Sequence, residues 1–547
     1  TLLDARDELH VLTGRASDRV APEMWGPLAE RLGLADAEAA QRHVRSLGRR
    51  ISHLSRLAWR RADAVMARPS SERERRTPAL TTLAPGIALS RGEVVLDRGT
   101  SPDEDPTLLL RAAAEAASRD VVLAPTTAAR LVREGADLPV PWPAAARDAL
   151  VRLLASGPGL MPVWETLDET GALDRFLPEW EEIRLLPHAS AIHRFTVDRH
   201  VVETCAEAGS LIRTVRRPDL LLVAALLHDI GKGSRHDHSV AGAPMARKIV
   251  ARMGFSDLDA EVVASLVRWH LLLATLATTR DPDDPATTAE LLAHVPDAAS
   301  LELLRALSEA DARATSPAAW TTWRASLVDR LTSRASAALG AEVADPSSTA
   351  VLPIPDVVRR DAGAVSVEIT PQDVGATVTV VAADRVGLLA DVAGALTVLR
   401  VPVHAARAWG QVDADGEWGV SSWEVPDAYL DPAVVRDRIR RVAEGTQRLP
   451  DHLARGKDDE LPPIVEVRPA ASRQSLVLEI RTSDRPGVIH LVLATLAELG
   501  LTVASAHVST MGPQAVDVFY VQEVGGVRPT EERAATAAHA VRSALGG

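Results

Sequence analysis

The sequence predicts a multidomain chain, all-α through its longer first part and α/β in its last third. Three observations predict this. An apolar helix runs into Leu226-Leu227-His228-Asp229-Ile230-Gly231-Lys232, and an ordinary core does not accept such a doublet, because a buried ionised carboxylate must be paired or bound to metal. Apolar residues recur at helical spacing through most of residues 106–335. Beyond about residue 365 the pattern changes to short β-branched strands alternating with single helices, and it repeats. Val380 to Leu389 matches Ile480 to Ile489, so that Asp384 aligns with Asp484; Leu396/Leu496, Leu399/Leu499 and Val403/Val503 keep the register.

The bulk numbers bound the function. A chain of 547 residues exceeds one core and suggests about three to five domains. Hydrophobic content of 46% and charged content of 25% are those of a soluble globular protein. A net charge of -13 argues against general nucleic-acid binding, which needs a basic face. One cysteine, Cys205, excludes an internal disulfide framework and fits a reducing cytoplasm. The apolar run Leu220–Leu227 is too short to span a bilayer, and no signal peptide opens the chain. The expectation is therefore a cytoplasmic protein with no nucleic-acid or membrane partner. Thr1 falls inside a helical pattern, which gives the expectation of a piece of something longer.

In chain order, residues 1–66 read as helices with a turn at Gly14-Arg15, followed by a charged linker over 68–78. Ile87 to Leu96 reads as a hairpin turning at Arg91-Gly92. Helices then dominate to 335, broken by Pro-rich joints at 139–143 and 157–162, and residues 80–180 carry no legible chemistry. A Pro/Ala/Asp-rich boundary at 340–365 and a charged linker near 451–463 frame the two repeats. In each repeat the Asp-Arg-x-Gly turn reads as a strand-to-helix turn, with Asp as N-cap and Gly allowing the bend.

The chemistry concentrates around the doublet. Leu221, Ala224, Ala225 and His228 share a helix face; His200 lies one turn after Val197; Asp311 shares a stripe with Leu301, Leu304 and Leu307. Taken singly, His200 and Asp311 are ordinary core residues more often than ligands. Together with His228-Asp229 they point to a metal site. Imidazole and carboxylate donors suit Mg²⁺ or Mn²⁺, with Fe and Zn²⁺ as alternatives. Gly231 supplies a flexible turn, and Lys232 a cation for a phosphate developing charge.

The order His200, His228-Asp229, Asp311 resembles the HD-domain metal-dependent phosphohydrolases, an all-helical fold. His238 and His270 match positions where many of these carry histidines, which implies a second metal or phosphate contact; ordinary polar cleft residues are an equal reading. The wider chain resembles the bifunctional uridylyltransferase/uridylyl-removing enzymes. That resemblance rests on Leu2 to Asp7 with Gly14-Arg15, Phe195 to His200, Gly233 to His238, Ala310 to Thr315, Trp320 and Trp323.

The resemblance implies a helical linker region over 1–184, an HD domain over 185–335, linkers over 336–371 and 448–473, and ferredoxin-like ACT domains over 372–447 and 474–547. It implies catalytic roles for Lys232, His238 and His270, and metal ligation by His200, His228, Asp229 and Asp311. The substrate implied is the PII signal-transduction protein carrying UMP, or AMP in some relatives. Glutamine is the implied ligand at Asp384, Arg385, Gly387 and Leu388 and at Asp484, Arg485, Gly487 and Val488. The family's nucleotidyltransferase core has a Gly-Ser turn followed by Asp-x-Asp. Here the Asp-x-Asp triplets at Asp103, Asp257, Asp281 and Asp413 follow no such turn, so the expectation is the removing activity, with a transferase half truncated or lost. The other readings are an HD-type guanosine tetraphosphate hydrolase under ACT control and a non-catalytic amino-acid sensor.

Overall fold

The computed structural model describes the chain except residues 68–78, 188–194, 235, 318, 341–351, 373–374, 404, 427–428, 448–461, 470, 473, 484, 512–513 and 547. The charged linker at 68–78, most of that at 451–463, and Asp484 therefore lie outside the described residues. The chain divides into two compact units, Thr1–His270 with Glu302–Thr315, and Leu271–Leu301 with Ser316–Gly547. Residues 271–301, assigned from sequence to the HD domain, thus belong to the second unit.

The first unit opens with the helix Leu2–Thr13, capped by Thr1 and ended by Gly14 in the left-handed conformation at φ 66°. Helices Trp25–Leu32 and Ala37–Ala67 follow. The expected hairpin forms from β2 (Ile87–Ser90) and β3 (Glu93–Leu96), with Arg91 and Gly92 both at positive φ, as a tight hairpin turn demands. The helical linker region holds more sheet than expected. β1 (Thr81–Ala84) and a parallel β4 (Val122–Leu123) extend the hairpin to four strands. A two-residue strand between helices carries no periodicity to read.

The helix Pro218–Leu227 forms the centre of the unit. Leu220 to Leu227 are all buried, as a helix apolar on every side must be. Around it lie Val197–Leu211, His238–Arg252 and Asp257–Trp269. The stretch Asp257–Thr279 is apolar and long enough to cross a membrane by composition alone, a test that the core helices of soluble proteins also pass. It breaks into two helices around His270.

The second unit is built on one antiparallel sheet of eight strands, in the order β5-β6-β8-β7-β11-β12-β10-β9. These are β5 (Val365–Pro371), β6 (Ala376–Ala383), β7 (Ala405–Asp413), β8 (Gly416–Val425), β9 (Ile464–Val467), β10 (Leu476–Ser483), β11 (Leu501–Met511) and β12 (Gln514–Glu523). The order is palindromic: the repeats meet at the β7–β11 pair, where Arg407 stands opposite its repeat equivalent His507. Each repeat runs strand, strand, helix, strand, strand, helix. Its edge strand, β5 or β9, comes from a segment assigned to the linkers 336–371 and 448–473. β9 has only four residues, and β5 follows a Pro-rich segment that masks its alternation.

Strand alternation sorts the two faces. Val378, Val380, Trp423, Val425, Leu478, Ile480, Phe519 and Val521 pack in one core with the helices Leu388–Val398, Pro432–Ala443, Val488–Glu498 and Glu531–Ala544. Val381, Trp418 and Val420, and likewise Val477, Val518 and Tyr520, lie on the opposite face. The Asp-Arg-x-Gly turns depart from expectation in one respect. Gly387 and Gly487, at φ 85° and 89°, occupy the N-cap positions. Asp384 does not cap; its backbone N–H donates to Glu417 O at 3.0 Å.

Burial pushes the Glu424 carboxyl up to about 7, against the opposing pull of Thr321 and Arg324. The folded state therefore holds a proton that the unfolded chain has lost, and stability falls as pH rises from about 4.5 to about 7. Denaturant titrations across pH 4.5–8 are expected to show this slope in the wild type and a flatter one in Glu424→Gln.

Candidate metal centre

The site collects residues from helix ends and helix faces of the first unit. Thr196 is the extended residue before the helix Val197–Leu211, whose inner face carries His200. His228 ends the helix Pro218–Leu227, and Asp229 begins the short turn Ile230–Gly233. His238 opens the helix His238–Arg252, where Asp237 caps by accepting from Ser239 N and Val240 N at 3.0 Å each. His270 follows the helix Asp257–Trp269, and Asp311 lies in Ala298–Thr315.

These residues converge on the Asp229 carboxylate, itself 1% exposed. Its Oδ2 faces His228 Nε2 at 3.4 Å, His200 Nε2 at 3.9 Å and Lys232 Nζ at 2.6 Å. Its Oδ1 faces His238 Nε2 at 3.6 Å and His270 Nε2 at 3.8 Å. Asp311 Oδ1 joins the first group, 2.9 Å from His200 Nε2 and 3.7 Å from His228 Nε2. Two donor triads result, His200-His228-Asp229 and Asp229-His238-His270, with one carboxylate common to both.

The spacing and tautomers fit a divalent ion. Donors ~2.1 Å from a shared ion stand roughly 3–4 Å apart, the range found here. A carbonyl can only accept, so His228 Nδ1 donates to Ala225 O at 2.9 Å and His270 Nδ1 donates to Val267 O at 2.8 Å. Each imidazole is thereby oriented with Nε2 towards the carboxylate, as second-sphere partners orient metal ligands.

The electrostatics reflect two carboxylates, Asp229 and Asp311, held among imidazoles. Burial opposes charge on Asp229, but His228, Lys232 and His270 hold its carboxyl well below the usual range. Asp311 is lowered in the same way, burial being outweighed by its hydrogen bond to His200 and by the nearby imidazoles. Burial would lower His228, yet Asp229 and Asp311 lift it to about 9. Burial and the charge of His228 push His270 down to about 4. Burial also lowers His238.

All seven residues expected at the centre are brought together. Lys232 pairs with Asp229 at 2.6 Å. One detail differs from expectation. Gly231 is needed for close packing, not flexibility: a Cβ there would lie 2.2 Å from His238 O and 2.6 Å from Gly242 N.

A supporting network was missed. Asp198, fully buried, accepts from Arg49 Nη1 at 2.6 Å, Arg49 Nη2 at 3.1 Å and Leu185 N at 2.9 Å. Arg49 also reaches Asp168 at 3.3 Å. Burial alone would raise the Asp198 carboxyl, and Arg49 holds it below the usual range. Arg56, one turn beyond His53 on the same helix face, pairs with Glu165. The legible signal was the spacing of Arg49, His53 and Arg56 at i, i+4 and i+7 on one helix.

Comparison with known proteins places this geometry. Residues 197–315 match the HD domain family, a class of metal-dependent domains, and that span contains every residue of both triads. A bifunctional uridylyltransferase/uridylyl-removing enzyme of Streptomyces coelicolor is 38% identical over 610 aligned positions, covering 100% of this chain and 73% of the relative. An enzyme of the same name from Mycobacterium tuberculosis is 36% identical, covering 95% of this chain and 67% of the relative. One from Corynebacterium glutamicum is 36% identical over 58% of this chain and 46% of the relative. The chain belongs to the bifunctional uridylyltransferase/uridylyl-removing enzyme family.

Two outcomes follow from the packing. Gly231→Ala is expected to displace the turn carrying Asp229 from the His238 helix, so that calorimetry with Mn²⁺ reads weaker binding while far-ultraviolet circular dichroism stays helical. Asp198→Asn leaves Arg49 with Asp168 as its charged partner, so the cost is expected to fall below the about 3–5 kcal/mol of a fully broken buried pair, measurable as a lower denaturation midpoint.

Proposed function

We propose that this chain hydrolyses the phosphodiester joining UMP to a tyrosine of a PII signal-transduction protein. Water adds to phosphorus, the bond from phosphorus to the tyrosyl oxygen breaks, the proton passes to that oxygen, and UMP leaves. The observation that carries this reading is the buried Asp229 carboxylate shared by two histidine pairs, within a chain whose relatives are named for uridylyl removal.

In this proposal His200, His228, Asp229 and Asp311 hold one divalent ion, and Asp229, His238 and His270 hold a second, Mg²⁺ or Mn²⁺ fitting the mixed donors. Such ions supply a bound water whose pKa falls from ~15.7 towards ~7, and positive charge against the phosphoryl oxygens. The protein's part is orientation and charge. His228 and His270 are locked by backbone carbonyls. His238, the most exposed of the four histidines, stands where the phosphodiester enters. Lys232 balances the Asp229 carboxylate and offers its ammonium to the phosphate once that carboxylate is otherwise engaged.

The two α/β repeats are proposed as ACT domains that bind glutamine at their turns, through Asp384, Arg385, Gly387 and Leu388, and through Asp484, Arg485, Gly487 and Val488. Of these, Arg385 is paired with Asp391, and Arg485 donates to Leu545 O at 3.0 Å. An amino acid there would have to exchange with those contacts. Its binding shifts hydrolysis only by favouring one arrangement of the chain over another.

The test is release of UMP from uridylylated PII protein by the purified chain with Mn²⁺. The wild type is expected to release UMP, and Asp229→Ala to lose more than the ~10–100-fold that removal of a mere supporting partner costs. Equal release by both, or by neither, would overturn the assignment.

A further inference from the structure

The seam between the two repeats carries a polar cluster that the proposed chemistry does not use. At the centre of the β7–β11 pair the repeat-equivalent residues Arg407 and His507 stand opposite one another, 4% and 3% exposed. By strand alternation both turn away from the helices that form the main core. The surface they meet belongs to residues 271–301, which fall inside the HD family match and within the same compact unit as the sheet.

The contacts centre on Asp283, in the loop between the helices Leu272–Thr279 and Pro285–Leu292. Its Oδ2 accepts from Arg407 Nη2 at 2.6 Å, its Oδ1 accepts from Arg334 Nε at 3.0 Å, and Arg330 pairs with it as well. Two residues earlier, Asp281 N donates to Tyr520 OH at 2.7 Å, and Asp281 Oδ1 accepts from Asp283 N at 2.9 Å. One short loop is thereby tied to both repeats, through Arg407 on β7 and Tyr520 on β12. The helix Leu272–Thr279 also packs on β11 and β12.

The cluster breaks the symmetry of the repeats. His507 makes its contact with Ser505 Oγ at 3.0 Å, leaving Asp283 to the arginine. By strand register Glu424 is the repeat equivalent of Tyr520, and it accepts from Thr321 Oγ1 at 3.1 Å instead of meeting this loop. A loop bound on the pseudo-twofold axis is thus held in one sense only. Any sliding of β7 against β11, or a change in their twist, moves Arg407 relative to Tyr520 and must be followed by Asp281 and Asp283.

A covalent path leads from that loop to the metal centre. Leu271 alone separates His270 from the helix Leu272–Thr279, and His270 belongs to the second donor triad. A displacement of the helix therefore pulls on a residue whose Nε2 lies 3.8 Å from Asp229 Oδ1.

We propose that Asp283, clamped by Arg407, Arg330 and Arg334 at the repeat seam, is the latch that transmits amino-acid binding at the repeats to the hydrolytic centre through His270. This rests on the glutamine reading above and names its route. Coupling needs a two-state element that both sites bias, and the seam with its loop is that element.

The experiment uses the full chain and measures two things: calorimetric binding of L-glutamine, and UMP release from uridylylated PII protein with and without glutamine. Asp283→Asn is expected to bind glutamine within about threefold of wild type while its ratio of stimulated to unstimulated release falls towards one. Tyr520→Phe removes only the hydroxyl accepting from Asp281 N and strands no charge, so it decides the matter if the first variant does not fold; its ratio is expected to fall at least about twofold. Wild-type ratios in folded variants that bind glutamine would overturn the latch. A wild-type chain that binds no glutamine would overturn the ligand reading and the latch with it, a result distinguished by the calorimetry alone.

Discussion

The site depends on one interaction: a carboxylate, Asp229, kept ionised in a place that excludes water. Burial works against the charge, and only the surrounding imidazoles and the Lys232 ammonium reverse the balance. The surrounding elements can be understood as supplying those groups. The buried helix Pro218–Leu227 presents His228-Asp229, four further segments each contribute a histidine or carboxylate, and Gly231 lets two backbones approach closely enough for His238 to reach the same anion. Without a cation in its place, a carboxylate at 1% exposure would be costly to keep.

The doublet was legible because buried polar and charged residues are anomalies. His200, His228 and Asp311 are polar residues on faces that periodicity says should be apolar, and each turned out to lie at the centre. His238 and His270 came through resemblance, and their meeting on the second oxygen of Asp229 could not be read from residue types. A histidine's orientation depends on which carbonyl its Nδ1 finds, as with Ala225 O and Val267 O, and spacing along the chain does not specify that.

What stayed hidden shares a physical cause. Arg49 and Asp198 are 149 residues apart in sequence, and an arginine on an amphipathic helix reads as a solvated face until its partner is known. Gly231 read as a flexible turn because a close backbone approach leaves no mark except the glycine itself. The edge strands β5 and β9 escaped because a short strand beside a Pro-rich segment has too few alternations to count. The repeat, by contrast, was visible in the aligned turns, and the palindromic sheet follows from pairing the β7 edge of one copy with the β11 edge of the next.

The measurement that bears most directly on the central claim is diffraction from crystals of the chain soaked in Mn²⁺, with anomalous differences collected at the manganese edge. Two peaks are expected, one against each oxygen of Asp229, the first shared with His200, His228 and Asp311 and the second with His238 and His270. Peaks that avoid Asp229, or no peak among these side chains at saturating Mn²⁺, would contradict it.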